Sequence, residues 1–278
     1  MKGKEVTWVL NHKKGSLSLL YSNDTLMKKI LSIILLAVFL FALDGKAQGK
    51  ETLNYVISYK WGLIHKDAGD ATFIRTPKGN GFELKVVGKT KPWADKIFHV
   101  RDTLISMVGK NNYLPTKYTR IAHEKGKYSR DEINFSRSGN VTKGTGKKIR
   151  EKKAGAGITT KEINIQGTGQ VYDILSVVYF IRNLDFANMK EKVPVTATIF
   201  SGDQVEKLTI YCKGKEKIKL KDKKERESWH IVFKFTTGGG KKSSDDINCW
   251  ISDDSSHIPL LITGSLPVGQ VRCTYVPK

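Results

Sequence analysis

Thr52-Leu-Asn-Tyr-Val-Ile-Ser-Tyr-Lys-Trp61 places Leu53, Tyr55, Ile57, Tyr59 and Trp61 on one face of an extended chain and Thr52, Asn54, Ser58 and Lys60 on the other. Successive side chains of a strand point to opposite faces, so this period of two predicts a strand with one buried side. The same alternation recurs at Phe82, Leu84 and Val86, at Trp229, Ile231, Phe233 and Phe235, and at Ile247, Cys249 and Ile251. Clusters of turn-forming residues separate these runs: Pro77-Lys-Gly-Asn80, Glu124-Lys-Gly126, Ser201-Gly-Asp203, Thr237-Gly-Gly-Gly240 and Ser252-Asp-Asp-Ser255. The pattern predicts a mainly β fold of roughly a dozen antiparallel strands, closed as a barrel or strongly curved, with one main helix packed against it. That helix is expected over residues 171–185, with short helical turns near residues 93–97. In such a fold Tyr55, Tyr59, Trp61, Phe82, Trp229, Phe233 and Phe235 face inward, either lining a cavity or filling a core.

Upstream of the strands, Met27-Lys28-Lys29 leads into an apolar run over residues 30–43, followed by Gly45 and Ala47. A basic start, a short apolar middle and small residues before a cut are the marks of a secretory signal peptide. The run of about 14 residues is short for a spanning helix, which needs about 20. Signal peptides open a chain, so residues 1–26 are read as an extension from a start codon assigned too early, 27–47 as the signal, and 48–278 as one β-rich mature domain. Export through the Sec pathway to the periplasm or the outer-membrane periphery is the expected localisation.

The chain of 278 residues carries a formal charge of +21. Residues 1–47 hold seven lysines and three acids, which leaves the remainder at +17. A strongly basic protein seeks anionic partners. For an exported one these are lipid headgroups, lipopolysaccharide phosphates and acidic glycans rather than nucleic acid. Two segments carry much of this charge. Residues 138–160, with Lys-Gly-Thr-Gly-Lys-Lys-Ile-Arg-Glu-Lys-Lys and little apolar content, are expected to form a basic loop or ragged hairpin. Within residues 213–226, Ile218 and Leu220 alternate with Lys217, Lys219 and Lys221. That stretch is either a strand with a solvated outer face or, together with Lys223 and Lys224, a polyanion surface.

Three cysteines in an exported chain allow one disulfide and a free thiol, or three buried thiols. Cys249 and Cys273 flank a hairpin-like stretch and are the expected pair; Cys212 is the third. There is no CxxC, GxSxG or HExxH, and Gly144-Thr-Gly146-Lys147-Lys148 is an incomplete phosphate loop. The histidines stand singly, and no metal or cofactor is expected. Asp253 and Asp254 form a carboxylate pair inside a turn.

Arg182 presents a puzzle. On the helix Ile174, Leu175, Val178 and Ile181 share an arc with it, so the arginine falls on the apolar side and needs a partner. Phe98, Val100, Asp102, Leu104 and Val108 share a strand face, which makes Asp102 a buried carboxylate and the expected partner. Asp253 and Asp254 are alternatives, as is an anionic ligand head. Asp102, Asp173, Arg182 and Asp253 are also the group that an enzyme would need to converge.

Several of these residues, in order, resemble the exported bacterial proteins grouped as domain of unknown function 3108. They are Tyr55-Val-Ile-Ser-Tyr59, Gly62 with Ala68-Gly-Asp-Ala71, Phe98-His-Val-Arg-Asp102, Asp173-Ile-Leu-Ser176 with Tyr179 and Arg182, and Cys249-Trp-Ile-Ser-Asp-Asp254 with Ile258-Pro259 and Gly269. The likeness runs from about Leu53 to Tyr275, and the lysine-rich composition is similar to the Bacteroidetes branch. The resemblance implies an envelope protein of mostly β structure and supplies no activity. The organisation is also similar to periplasmic lipoprotein carriers, in which a curved sheet wraps an apolar cavity. The reading is therefore a non-catalytic, monomeric binding or carrier module for an apolar or amphipathic envelope ligand. The alternative is an envelope protein that binds anionic membrane, lipopolysaccharide or glycan through its basic surface; an enzyme ranks third.

Overall fold

The computed structural model describes residues 49–237, 245–265 and 269–277. The expected extension and signal segment, and most of the Thr237-Gly-Gly-Gly240 turn, lie outside the described residues.

The described residues form fifteen strands, more than the dozen expected. They are β1 (Glu51–Trp61), β2 (Ile64–Lys78), β3 (Gly81–Thr90), β4 (Val100–Gly109), β5 (Pro115–Glu124), β6 (Lys127–Ser138), β7 (Val141–Glu151), β8 (Ile158–Thr168), β9 (Val171–Asp173), β10 (Val195–Ser201), β11 (Gln204–Lys219), β12 (Glu225–Thr237), β13 (Ile247–Ser252), β14 (Pro259–Ser265) and β15 (Gln270–Val276). Helix α1 (Pro92–Asp95) crosses between β3 and β4, and α2 (Ser176–Arg182) follows β9.

All fifteen strands belong to one sheet, in the order β8 to β1, then β15 down to β9. Neighbours are consecutive in the chain and antiparallel except at two places: β1 pairs with β15, and the short β9 runs parallel to β10. The sheet rolls into a nearly closed, barrel-like form. Its two edges, β8 and β9, share no ladder, and β8 instead lies against β10 and β11. Strand twist and alternation put one face of every strand inside. Leu53 and Tyr55, Phe73, Leu84 and Val86, Leu104, Ile133, Leu208 and Ile210, Ile231 and Phe233, and Cys249 and Ile251 form one continuous core.

Of the two readings for residues 138–160, a basic loop or a ragged hairpin, the structure forms the hairpin. These residues make up β7 and the start of β8, paired from Val141↔Thr168 to Glu151↔Ile158. The inward positions of β7 are Thr142, Gly144 and Gly146, so the hydrophobic half of the alternation is missing. Glycine is required there by close approach. A Cβ on Gly144 would sit 2.7 Å from the Phe200 ring, and one on Gly146 only 1.9 Å from the Glu132 carbonyl oxygen.

The helix is shorter than expected, because residues 171–173 pair with β10. Asp173 then starts α2: its Oδ1 accepts from the Leu175 and Ser176 amides at 2.7 and 2.8 Å, while Ser176 Oγ accepts from the Asp173 amide at 2.8 Å. This reciprocal arrangement satisfies donors that a helix leaves open at its start. Six of the seven α2 residues are buried, so α2 plugs the rolled sheet. Tyr179 stacks on Tyr113 at 4.4 Å, and Tyr113 stacks on Phe82 at 5.6 Å.

Candidate functional site

Where β8 fails to pair with the opposite edge, the seam opens into a groove of about 480 Å³. Gln166 and Thr168 of β8, Gln170 and Tyr172 around β9, Thr198 of β10 and Lys207 of β11 line it, with the ring of Phe180. Phe180 is the one residue of α2 that is not buried. Its ring lies 5.1 Å from that of Tyr172, whose hydroxyl donates to Gln170 Oε1 at 3.0 Å. Two rings, amides, hydroxyls, the Lys207 ammonium and the Glu206 carboxylate give the groove both apolar and hydrogen-bonding character. At its other end the seam is tied by charge: Asp203, in the β10–β11 turn, accepts from Lys148 of β7 at 2.6 Å and Lys161 of β8 at 3.0 Å. These hydrogen bonds outweigh partial burial and hold the Asp203 carboxyl well below the usual range.

Arg182 is buried, as expected, but Asp102 is not its partner. Its Nη1 lies 3.7 Å from Glu51 Oε2, its Nη2 donates to the Ser256 carbonyl, and its guanidinium stands 5.4 Å from the Tyr179 ring centre. Burial pulls its pKa down to about 10, against the pull of Glu51. The Asp253–Asp254 turn does reach Arg182, but through backbone. Asp254 Oδ1 accepts from the Ser252 hydroxyl at 3.0 Å and the Ser256 amide at 2.9 Å, which presents the Ser256 carbonyl to the guanidinium. His257 Nδ1 bonds the Arg182 carbonyl at 2.6 Å. Arg182 thus clamps α2 to β1 and to the β13–β14 turn.

The remaining acids go elsewhere. Asp102 is paired by Arg120 at 2.9 Å, and the same Arg120 Nη2 meets Glu124 at 2.6 Å. Burial, reinforced by Glu124 and opposed by Arg120, pushes the Asp102 carboxyl up to about 7. Arg182 and Asp102 were expected to meet because both break an apolar face, but parity along a strand says nothing of which end of the barrel a residue occupies. Asp173 accepts from Ser106 Oγ at 2.5 Å besides starting α2, and burial raises it to about 6. Asp253 meets Lys215 at 2.5 Å. Each acid of the group that an enzyme would need thus has its own partner. Among the described residues no cluster of His, Cys, Asp and Glu could hold a metal.

A family model described as a protein of unknown function (DUF3108) matches residues 54–275. The chain belongs to the DUF3108 family. A comparison with curated proteins finds no match. Among solved structures, the protein is similar to a crystal structure of a beta-barrel-like protein of domain of unknown function DUF1849 from Brucella abortus. The TM-score is 0.53 at 9% identity, covering 85% of this chain and 96% of that one. At that identity the likeness shows the fold alone.

In this DUF3108 chain the aromatics expected to line a cavity divide. Tyr55, Phe82, Phe233 and Phe235 are buried in the core, packed on other side chains. Trp229 lies partly buried, with Phe186 on one side at 6.2 Å and Lys215 4.7 Å from its ring. Tyr59 packs with Ile57 on Val271 in a small separate cluster, and Trp61 is 52% exposed, because β1 runs on past the core after a register shift at Ile57/Ser58. The expected Cys249–Cys273 disulfide is absent: all three cysteines are free and buried. Both residues are in register with Ile262 of the intervening β14, so two strand spacings, about 9–10 Å, separate them, beyond the reach of a disulfide. Lys217 and Lys219 lie exposed on β11, and Lys221, Lys223 and Lys224 occupy the turn to β12.

Sequence reasoning missed Glu51, Arg75, Arg120 and Phe180. Glu51 and Arg75 are Cα partners across β1 and β2, in step with the inward residues Leu53 and Phe73. Continuing the alternation of the opening strand by one residue would have found Glu51. Phe180 carried no signal, since an aromatic on a helix reads as core.

Proposed function

We propose that this protein is a non-catalytic binding module of the bacterial cell envelope that takes an amphipathic ligand in the groove at the open seam. The observation that carries the reading is the groove itself. Its volume of about 480 Å³ lies within the range of small-molecule sites, about 300–1,000 Å³. It joins a ring of the plugging helix to side-chain amides, hydroxyls and the neighbouring Glu206 carboxylate and Lys207 ammonium. The inward aromatics pack on one another and on α2, which favours the seam over the interior as the place for a ligand. The signal-like run at residues 27–47 supports export and an envelope source for that ligand.

The test is native mass spectrometry of residues 48–278, purified from periplasm without detergent, followed by solvent extraction. The reading expects a stoichiometric adduct of lipid-like mass that Thr198→Trp, which fills the groove, displaces while circular dichroism stays unchanged. An apoprotein mass, or an adduct indifferent to Thr198→Trp, would refute it.

A further inference from the structure

The basic run that the sequence singles out does not stay together in the fold. Lys217 and Lys219 stand on the exposed end of β11, and Lys217 pairs with Glu227 at 3.3 Å. The turn beyond them folds differently. Buried Leu220 anchors it, with the Leu220 amide donating to the Lys224 carbonyl at 3.2 Å and the Lys223 amide to the Leu220 carbonyl at 3.0 Å. Lys223 takes a left-handed φ of 63° to close the turn. The consequence is a second, smaller hollow of about 250 Å³ between this turn and the C-terminal strand, lined by Lys221, Asp222, Lys224, Arg226, Tyr275 and Val276.

Three cations and one carboxylate therefore meet in one hollow. Arg226 presents both guanidinium nitrogens in parallel to Asp222, at 3.0 and 2.5 Å. The Lys224 amide donates to the same carboxylate at 3.1 Å. Asp222 thus shows how the turn already holds a planar oxyanion against an arginine fork. Lys221 reaches Asp67 on β2, and Lys224 makes no ion pair among the described residues. With Asp222 set against Arg226 and Asp67 against Lys221, Lys224 leaves the hollow one positive charge in excess, beside Tyr275.

We propose that this hollow is a binding site for a phosphate-bearing anion. A singly charged phosphate, free or as an ester, matches that excess of one charge, and its several oxygens can meet the Lys224 ammonium together with the Lys221 and Arg226 head groups beside it. The site is distinct from the seam groove and independent of what that groove holds. The phosphate can be free or esterified at a lipid surface, and the exposed position of the turn admits either.

The experiment uses residues 48–278 and two probes: inorganic phosphate, followed by calorimetry, and phosphatidylcholine vesicles with and without phosphatidic acid, followed by co-sedimentation. Two double variants remove the same charge, Lys221→Gln/Lys224→Gln in the hollow and Lys217→Gln/Lys219→Gln outside it. A built site predicts that the first weakens binding by at least about tenfold and the second by less than about twofold. Binding of free phosphate assigns the site to the free ion, and binding of only the phosphatidic acid vesicles assigns it to the esterified group; both sustain the proposal. Equal losses from the two variants would reduce the effect to diffuse surface charge and overturn it, as would failure of both probes to bind.

Discussion

At Asp102 the interior sets two carboxylates against one guanidinium, since Arg120 serves Glu124 as well. Asp102 keeps its proton to about pH 7 when folded, against an ordinary value of 3.8. Between those values the folded chain binds more protons than the unfolded one, so stability falls as pH rises through the window. The contribution is whole below pH 4 and gone above pH 7, and Asp173, raised to about 6, acts in the same direction. Asp102→Asn should therefore raise unfolding free energy at pH 8 by on the order of 1–3 kcal/mol and change it little at pH 4. Denaturant titrations at the two pH values check this; a variant no more stable at pH 8 would contradict it. Arg182 offers the opposite case, a clamp whose loss is costly. Truncating one partner of a buried ion pair costs about 3–5 kcal/mol, so Arg182→Ala should fall in that range. In a double-mutant cycle with Glu51→Gln a coupling of about 1–3 kcal/mol is expected. A coupling near zero would leave the Ser256 carbonyl as the sole partner of consequence.

Among the elements, β7 depends on residues it lacks. Gly144 faces Phe200, so Gly144→Ala should cost about 1–3 kcal/mol by overpacking. Phe200→Leu in the same chain should recover part of that loss, as thermal denaturation of the four combinations would show. Gly146→Ala meets the backbone of Glu132, which no side-chain change relieves, and should not be rescued. The same glycines explain how far the fold could be read from sequence. β1, β3, β12 and β13 announce themselves because their inward positions are Leu53, Tyr55, Phe82, Leu84, Ile231, Phe233 and Cys249. β7 does not, because neighbouring strands supply the apolar atoms that its own inward positions omit. Arg182 was legible as a buried charge, since a helix arc shows which side a residue takes, but its partner was not. Glu51 lies 131 positions away, and the β1–β15 pairing that brings it to the turn around Ser256 leaves no local mark. The seam groove is a property of two strand edges that fail to pair, and no residue records that.

For the whole molecule, closure rests on packing at β8 and on Asp203, which ties β7, β8 and the β10–β11 turn. Asp203→Asn should loosen the seam without unfolding the sheet. Hydrogen exchange is expected to quicken in β8 and β10 while β2 to β4 keep their protection, and high salt should narrow the difference between parent and variant. Uniform quickening across the sheet would show that the seam is not an independent unit. The pairing of β1 with β15 has a further consequence. Of the antiparallel ladders, twelve join neighbours in the chain and only this one spans more than two hundred residues. Two meanders, β1 to β8 and β10 to β15, can each assemble from local contacts, leaving one slow search to join them. Connecting the ends of β15 and β1 and cutting the chain at the Gly169–Gln170 turn would leave every strand beside its sequence neighbour. From β10 onward the rolled sheet would then be a single unbroken meander, and its low contact order should make it fold faster than the chain from which it came.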